Sequence, residues 1–359
     1  MKRRWKLLLG ALAFAAAGIA APVAYIETSC TAPLPGLQAN APYRPLMPGS
    51  EGSRREANSW LTFPEWYIVY SAESYGRFIA RERPSRFPFL AHVRGFWSGF
   101  CASSRAAAGS GAAADYKVMI YTIGISYSAE MLLKGLYETT WGRAFEWIGG
   151  HDSGNDRYTA AVQQRYGAFM HETPWYRFGF GDALAGLWTT PATGNALRHW
   201  ERRFVHSAEY GFKSLYAAAL GWASGAALGR DELTLRFVAR AEPAALAAAD
   251  PRFRPVGRLP GGLTIVEAPR YAQFTGLLQR LSATDAALVE IAGNDDIFVT
   301  VRAPVGRPAP AGTVQLLSAP LDDRPGWRRL GLAVKVERLL PLLRELRATG
   351  AELEHAYDY

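Results

Sequence analysis

The chain has only two cysteines, Cys30 and Cys101, and six histidines among its 359 residues. No Cys-x-x-Cys pair and no Cys/His cluster occurs, which excludes a zinc site built on thiolates. The common catalytic signatures are missing as well. Gly109-Ser110-Gly111 followed by Ala114 has the look of a dinucleotide-binding turn, but Ala106-Ala107-Ala108 precedes it where a strand is needed, so it reads as a linker. His171-Glu172 begins like a zinc-protease helix, yet Trp175 stands where the second histidine belongs and Pro174 stops the helix. Gly124-Ile125-Ser126 has no glycine at position 128 and no strand before it, which rules out a nucleophile elbow. Asp152, Asn155 and Asp156 lack the spacing and closing glutamate of a calcium loop and read as a solvated loop. No metal and no cofactor is implied.

Charge is absent from the twenty residues between Leu7 and Ile26. At about 1.5 Å of rise per residue, a helix of that length crosses a hydrocarbon core of roughly 30 Å. Lys2, Arg3, Arg4 and Lys6 precede the run and hold that end in the cytoplasm, which places everything after Glu27 outside. The reading is an uncleaved anchor, because the apolar run continues past the small-residue sites at Ala15-Ala16-Ala17 and Gly18-Ile19-Ala20 where a signal would be cut. Cys30 follows Glu27-Thr28-Ser29, which is no lipoprotein site, and Lys6 interrupts a twin-arginine pattern. The localisation expected is therefore the bacterial inner membrane, single-pass, with the bulk of the chain periplasmic. There Cys30 and Cys101 meet an oxidising compartment, and a bridge between them and two separate thiols stand as equal readings. The four flank residues supply half of the net charge of +8; the remaining body is mildly basic, suited to anionic lipid and without a nucleic-acid signature.

Composition divides the rest. Residues 31–59 are rich in Pro, Gly, Ser and Ala and read as a flexible tether. Residues 60–229 hold nine of the eleven tryptophans and repeat apolar side chains at helical spacing, predicting helices near 65–82, 88–107, 114–148, 157–171 and 193–228. The stretch 214–229 is too short to span and reads as a buried or membrane-skimming helix. Residues 230–359 change to strand spacing, with strands near 233–238, 263–268, 288–292, 297–302, 313–318, 329–336 and 353–357. Gly293-Asn294-Asp295-Asp296 reads as a hairpin turn, and helices are expected near 242–250, 270–282 and 339–347. The fold class is α+β: an N-terminal transmembrane helix, an aromatic-rich helical bundle and a small C-terminal sandwich, with a ferredoxin-like topology as one candidate.

One pattern points toward a site. Ser-Ala-Glu followed four residues later by a cation occurs as Ser71-Ala72-Glu73 with Arg77, Ser128-Ala129-Glu130 with Lys134, and Ser207-Ala208-Glu209 with Lys213. Such i,i+4 pairs stabilise a helix by about 0.2–0.5 kcal/mol, and three surface pairs or a repeated helical unit would account for them. Glu130 lies in a helix apolar on every side, which predicts burial, and His206 sits one turn before Glu209. Glu130, Lys134, His206 and Glu209 are thus the candidate ligand-binding cluster, with His171 and Glu172 as a second candidate at a helix end. A structural ion-pair network is the plainer reading of the same residues.

Thr62-Phe63-Pro64-Glu65-Trp66, Ile120-Tyr121-Thr122-Ile123-Gly124, His171 to Trp175 and Gly293-Asn294-Asp295-Asp296 together resemble an uncharacterised group of proteobacterial proteins with an N-terminal membrane segment. The resemblance implies location and architecture and brings no activity. The expectation is a non-enzymatic interaction or envelope-support protein, docking through its sheet edges or the proline-rich loop 303–312. The alternative is a small-molecule or lipid-binding helical bundle, an enzyme among its forms, with a buried Glu/His cluster whose side chains converge on one cavity. The partners expected are the membrane and a protein or lipid.

Overall fold

A computed structural model describes residues 2–37, 43–49, 52–108, 114–224 and 234–358. The fold is α+β, helical in the N-terminal part and built of two antiparallel sheets in the C-terminal part. Helix α1 (Lys2–Ser29) is continuous; the side chains of residues 6–9 and 11–16, most of the apolar run, lie outside the described residues. Among the described residues no helix is long and apolar enough to cross a membrane. The far end of α1 is fixed to the body. Ile26 and Cys30 are buried, Cys30 is bonded to Cys101 with the Cα atoms 5.1 Å apart, and Glu27 accepts from Lys117 Nζ (3.1 Å) and from Tyr121 OH.

Described parts of the segment read as a tether pack against the sheets. Leu46 and Met47 donate backbone N–H groups to Glu290, and short α2 (Glu56–Leu61) buries Trp60 against Phe298. Ser59 Oγ donates to Tyr357 O (2.8 Å) and accepts from Phe298 N (3.0 Å). Buried Met47 and Ala57 and the satisfied Ser59 hydroxyl hold the described parts of a stretch whose composition suggests freedom.

The helical part continues with α3 (Phe63–Ile79), α4 (Phe89–Ala106), α5 (Ala114–Tyr137), a π turn and α6 (Arg143–Gly149), α7 (Gly154–Met170), α8 (Phe180–Thr189) and α9 (Ala196–Ser224). Sequence periodicity overlooks α8, which is short and carries two glycines. It completes a repeat: α7–α8–α9 matches α3–α4–α5. Tyr67/Tyr158, Tyr75/Tyr166, Gly76/Gly167, Phe78/Phe169, Phe87/Phe178, Phe89/Phe180, Gly95/Gly186 and Trp97/Trp188 fall at one constant offset. Matched residues make matched contacts. Phe87 stands edge-on to Tyr75 and Phe78, as Phe178 does to Tyr166 and Phe169, and Trp97 Nε1 donates to Ser128 Oγ as Trp188 Nε1 donates to Ser207 Oγ, both at 2.9 Å. The two units meet where α3 crosses α7. A Cβ on Gly76 would lie 2.9 Å from Gln164 N, and one on Gly167 would run into the Glu73 side chain, so the crossing requires glycine on both helices.

The C-terminal part is not one sandwich but two sheets. β1 (Thr234–Arg240), α10 (Pro243–Ala249), β2 (Arg254–Leu259), β3 (Leu263–Pro269), α11 (Tyr271–Leu281) and β4 (Ala287–Ile291) form the first, in the order β2-β3-β1-β4. β5 (Asp296–Pro304), β6 (Thr313–Pro320), β7 (Trp327–Lys335), α12 (Val336–Thr349) and β8 (Glu352–Tyr357) form the second, in the order β6-β7-β5-β8. The order is the same in both; the proline-rich loop 305–312 replaces the helix between the first two strands. Even the bulges match, after Val238 opposite β4 and after Thr300 opposite β8. The hairpin expected at Gly293–Asp296 is absent: β4 pairs with β1 and β5 with β7 and β8, so the turn, with Ala292 and Gly293 at positive φ, joins two sheets. One core of Phe237, Phe274, Leu278, Val299, Leu332, Leu339 and their neighbours serves both sheets with α10–α12. The other face of the second sheet, through Phe298, Ala333 and Tyr357, shares a core with α2–α5.

Candidate functional site

Helix α9 has its polarity reversed. Arg198, His199, Glu201, Arg202, Arg203, His206 and Lys213 are all buried, Arg198 at 0% and Arg202 at 1% exposure. Leu197, Trp200, Phe204, Phe212 and Leu215 on the same helix are exposed, Phe212 at 69% and Leu215 at 75%. Helix α5 and its continuation repeat the pattern. Val118, Leu133, Leu136, Trp141, Trp147 and Ile148 face out while Glu138 and Glu146 are buried. This corrects the expectation for Glu130. Its helix is apolar all round because its outer side is apolar too, and the Glu130 side chain is half-exposed.

The inward side of α5 and α9 brings together four of the six candidate residues, and adds Lys213. Each Ser-Ala-Glu unit reaches across to the other. Lys134 Nζ donates to Glu209 (2.9 Å) and Lys213 Nζ to Glu130 (2.6 Å), with each lysine over the matched tyrosine of its own unit, Tyr75 or Tyr166. His206 Nδ1 lies 3.1 Å from Glu209 Oε2, and Gln163 Nε2 donates to Glu209 Oε1 at 3.4 Å. Reciprocal contacts of this kind mark a two-fold relation between the units. Burial opposes ionisation of Glu209, but Lys134, His206 and Lys213 outweigh it and hold the carboxyl well below the usual carboxylate range. Burial likewise opposes charge on Lys213, and Glu130, Tyr166 and Glu209 reverse it, keeping the ammonium protonated. The cluster satisfies itself, which is the behaviour of a clamp.

His171 and Glu172 do not join it. His171 Nε2 is 2.7 Å from Glu73 Oε1, with its ring edge-on to Trp66, and Glu172 is exposed. The third Ser-Ala-Glu unit is an intrahelical pair as read, Arg77 lying 3.6 Å from Glu73. Nor is Asp152–Asp156 a solvated loop: Ser153 and Asp156 form a capping box on α7, and Asp156 accepts from Arg198 Nη2 at 3.0 Å. That pair belongs to a second buried network. Arg198 also meets Glu201 (3.0 Å), Arg202 meets Glu138 (2.6 Å) and Glu201 (2.7 Å), and Glu146 accepts from Ser85 N–H and Oγ. Among the described residues no group of His, Cys, Asp and Glu is arranged to hold a metal ion.

Sequence patterns miss one constellation altogether. Ser71 on α3, His92 on α4, Tyr127 on α5 and Asp322 in the β6–β7 loop form a single hydrogen-bonded chain. No local motif announces it, since its members are far apart in sequence.

Because the Glu209 carboxyl is more acidic folded than unfolded, its stabilisation is present above the ordinary carboxylate range and lost as pH falls through the folded-state value. Glu209→Gln, which keeps the shape, is expected to cost about 1–3 kcal/mol at neutral pH. Urea titrations repeated at successively lower pH should show the gap to wild type closing. No protein-family model, curated protein or solved structure matches this chain.

Proposed function

We propose that this is an inner-membrane protein of the envelope, anchored by its N-terminal helix, whose periplasmic body lies against the bilayer through α5, α6 and α9 and serves as a support or docking platform. The reversed polarity of α9 carries this reading. In water, a large apolar side chain left exposed forgoes about 1.5–3 kcal/mol, and a buried charge must be paired; a helix that does both along its length matches an apolar surround. Exposed Trp141, Trp147, Trp188 and Trp200 suit the level of lipid head groups. The contacts of Glu27 with Lys117 and Tyr121 join the start of α5 to the end of α1, which supports a body held close to the membrane. The Cys30–Cys101 bond agrees with an oxidising compartment. In the C-terminal region the βαββαβ connectivity and strand order support a ferredoxin-like unit, used once in full and once with its first helix replaced by loop 305–312.

The test is a polarity-sensitive fluorophore on a single added cysteine, Phe212→Cys or Leu215→Cys, in the full chain reconstituted into nanodiscs. Emission is expected to shift to the blue and to be quenched by spin-labelled lipid, while the same probe at Val305→Cys in the exposed loop stays solvent-like. If probes at 212 and 305 respond alike, α9 does not face lipid and the reading fails.

A further inference from the structure

The chain Asp322–His92–Ser71 has the order of a nucleophile relay. Asp322 Oδ2 lies 2.9 Å from His92 Nε2, and His92 Nδ1 lies 2.9 Å from Ser71 Oγ. With the carboxylate accepting the Nε2 proton, Nδ1 keeps its lone pair and accepts from the Ser71 hydroxyl. Tyr127 OH donates to Ser71 Oγ at 2.6 Å, and burial raises the phenol well above its ordinary value, so it stays a donor. Ser71 and His92 are buried, and Asp322 is partly open to solvent. Against them lies a cavity of about 30 Å³, bounded by α3, α4 and the β6–β7 loop. Ser74, one turn after Ser71, also lines it; it is 7% exposed and its Oγ has no hydrogen-bond partner among the described residues.

The repeat supplies an internal control. In the second unit the positions of Ser71 and His92 are held by Val162 and Ala183, both buried, and that of Tyr127 by His206. The same three-helix unit therefore folds with apolar side chains in place of the serine and the α4 histidine. A buried polar chain where apolar residues suffice is not a requirement of the fold.

We propose that Ser71 is an acyl-accepting nucleophile, with His92 as its general base, Asp322 as the positioning residue, and Tyr127 and Ser74 as the hydroxyl donors to the oxyanion. The other charges of the cavity are matched, Arg329 by Glu354 and Asp323 by Arg77, so a neutral substrate fits, and the small volume favours a short acyl group. The substrate class is a short-chain carboxylic ester. Ser71 Oγ bonds to the carbonyl carbon as its proton passes to His92 Nδ1. The carbon–oxygen bond to the leaving alcohol then breaks, and the alcohol takes that proton. Water attacks the Ser71 ester by the same route, releasing the carboxylic acid and restoring the hydroxyl.

The test treats the full chain in detergent with methanesulfonyl fluoride, a small serine-directed reagent, followed by peptide mass mapping and hydrolysis of p-nitrophenyl acetate. A single adduct on Ser71 is expected, with loss of hydrolysis. Ser71→Val and His92→Ala, the residues of the second unit, should keep the wild-type circular dichroism and lose both labelling and turnover; Ser71→Ala and Asp322→Asn serve if either fails to fold. Asp322→Asn should slow labelling at least tenfold and move its pH profile, which a structural role would not. A folded wild type that takes no adduct, or an adduct that survives in the Ser71 variants, overturns the proposal.

Discussion

Arg202→Ala is expected to unfold the helical part under conditions where the wild type is stable. The guanidinium is 1% exposed and bonds Glu138 and Glu201, themselves nearly excluded from solvent. Burial opposes ionisation of Glu201, and Arg202 with Arg198 and Tyr137 overcomes it; without Arg202 one of its principal partners is gone. Breaking a buried pair from one side costs about 3–5 kcal/mol, a large share of the 5–15 kcal/mol that a domain has. The sheets share their main core with α10–α12 and not with α9, so the loss should fall first on the helices, with the second sheet affected only through its shared face with α2–α5. Urea unfolding followed by circular dichroism would register it as an early transition. Replacing Arg202 by Met together with Glu138 by Leu should recover the part of the loss due to Glu138, because an apolar pair needs no compensation, while Glu201 keeps Arg198. An Arg202→Ala protein within 1 kcal/mol of wild type would mean that the network is hydrated.

Removal of the disulfide by Cys30→Ser with Cys101→Ser should have a comparable effect with a different footprint. The bond closes a loop with a sequence separation of 71, for which chain entropy alone predicts about 4 kcal/mol. It also fastens Ile26 and Cys30 into the aromatic core. Hydrogen exchange should show lost protection at the end of α1, in α4 and at the start of α5, with β5 and β7 unchanged. An unaltered thermal midpoint would show that the contacts of Glu27, and of Arg105 with Ala32 O, hold the segment unaided.

Residue patterns alone carry a good part of this fold. Helical spacing locates α3, α5 and α9, alternation locates β1 and β5, and the repeated Ser-Ala-Glu unit points to the two helices on which Glu130, Lys134, His206 and Glu209 lie. What the pattern does not hold is direction. The i,i+4 rule pairs Lys134 with Glu130 on one helix, whereas the helix pair lets each lysine reach a carboxylate on the opposite helix. An all-apolar helix reads as buried, yet α5 leaves Val118, Leu133 and Leu136 exposed on its outer side. β2 escapes because Pro255 and Gly257 remove its strand signal and its burial pattern is that of an edge. Ser71, His92 and Asp322 escape for a deeper reason: nothing local relates them, and only the packing of three elements makes them neighbours.

The exchange of lysines between α5 and α9 has a consequence for how such a chain is held together. A seam in which each side presents the other with the same ammonium and the same carboxylate is complementary to itself. Cut in two, either half would find its match in another copy of itself, at whatever concentration mass action demanded. Carried on one polypeptide, the same recognition becomes intramolecular and proceeds at any dilution.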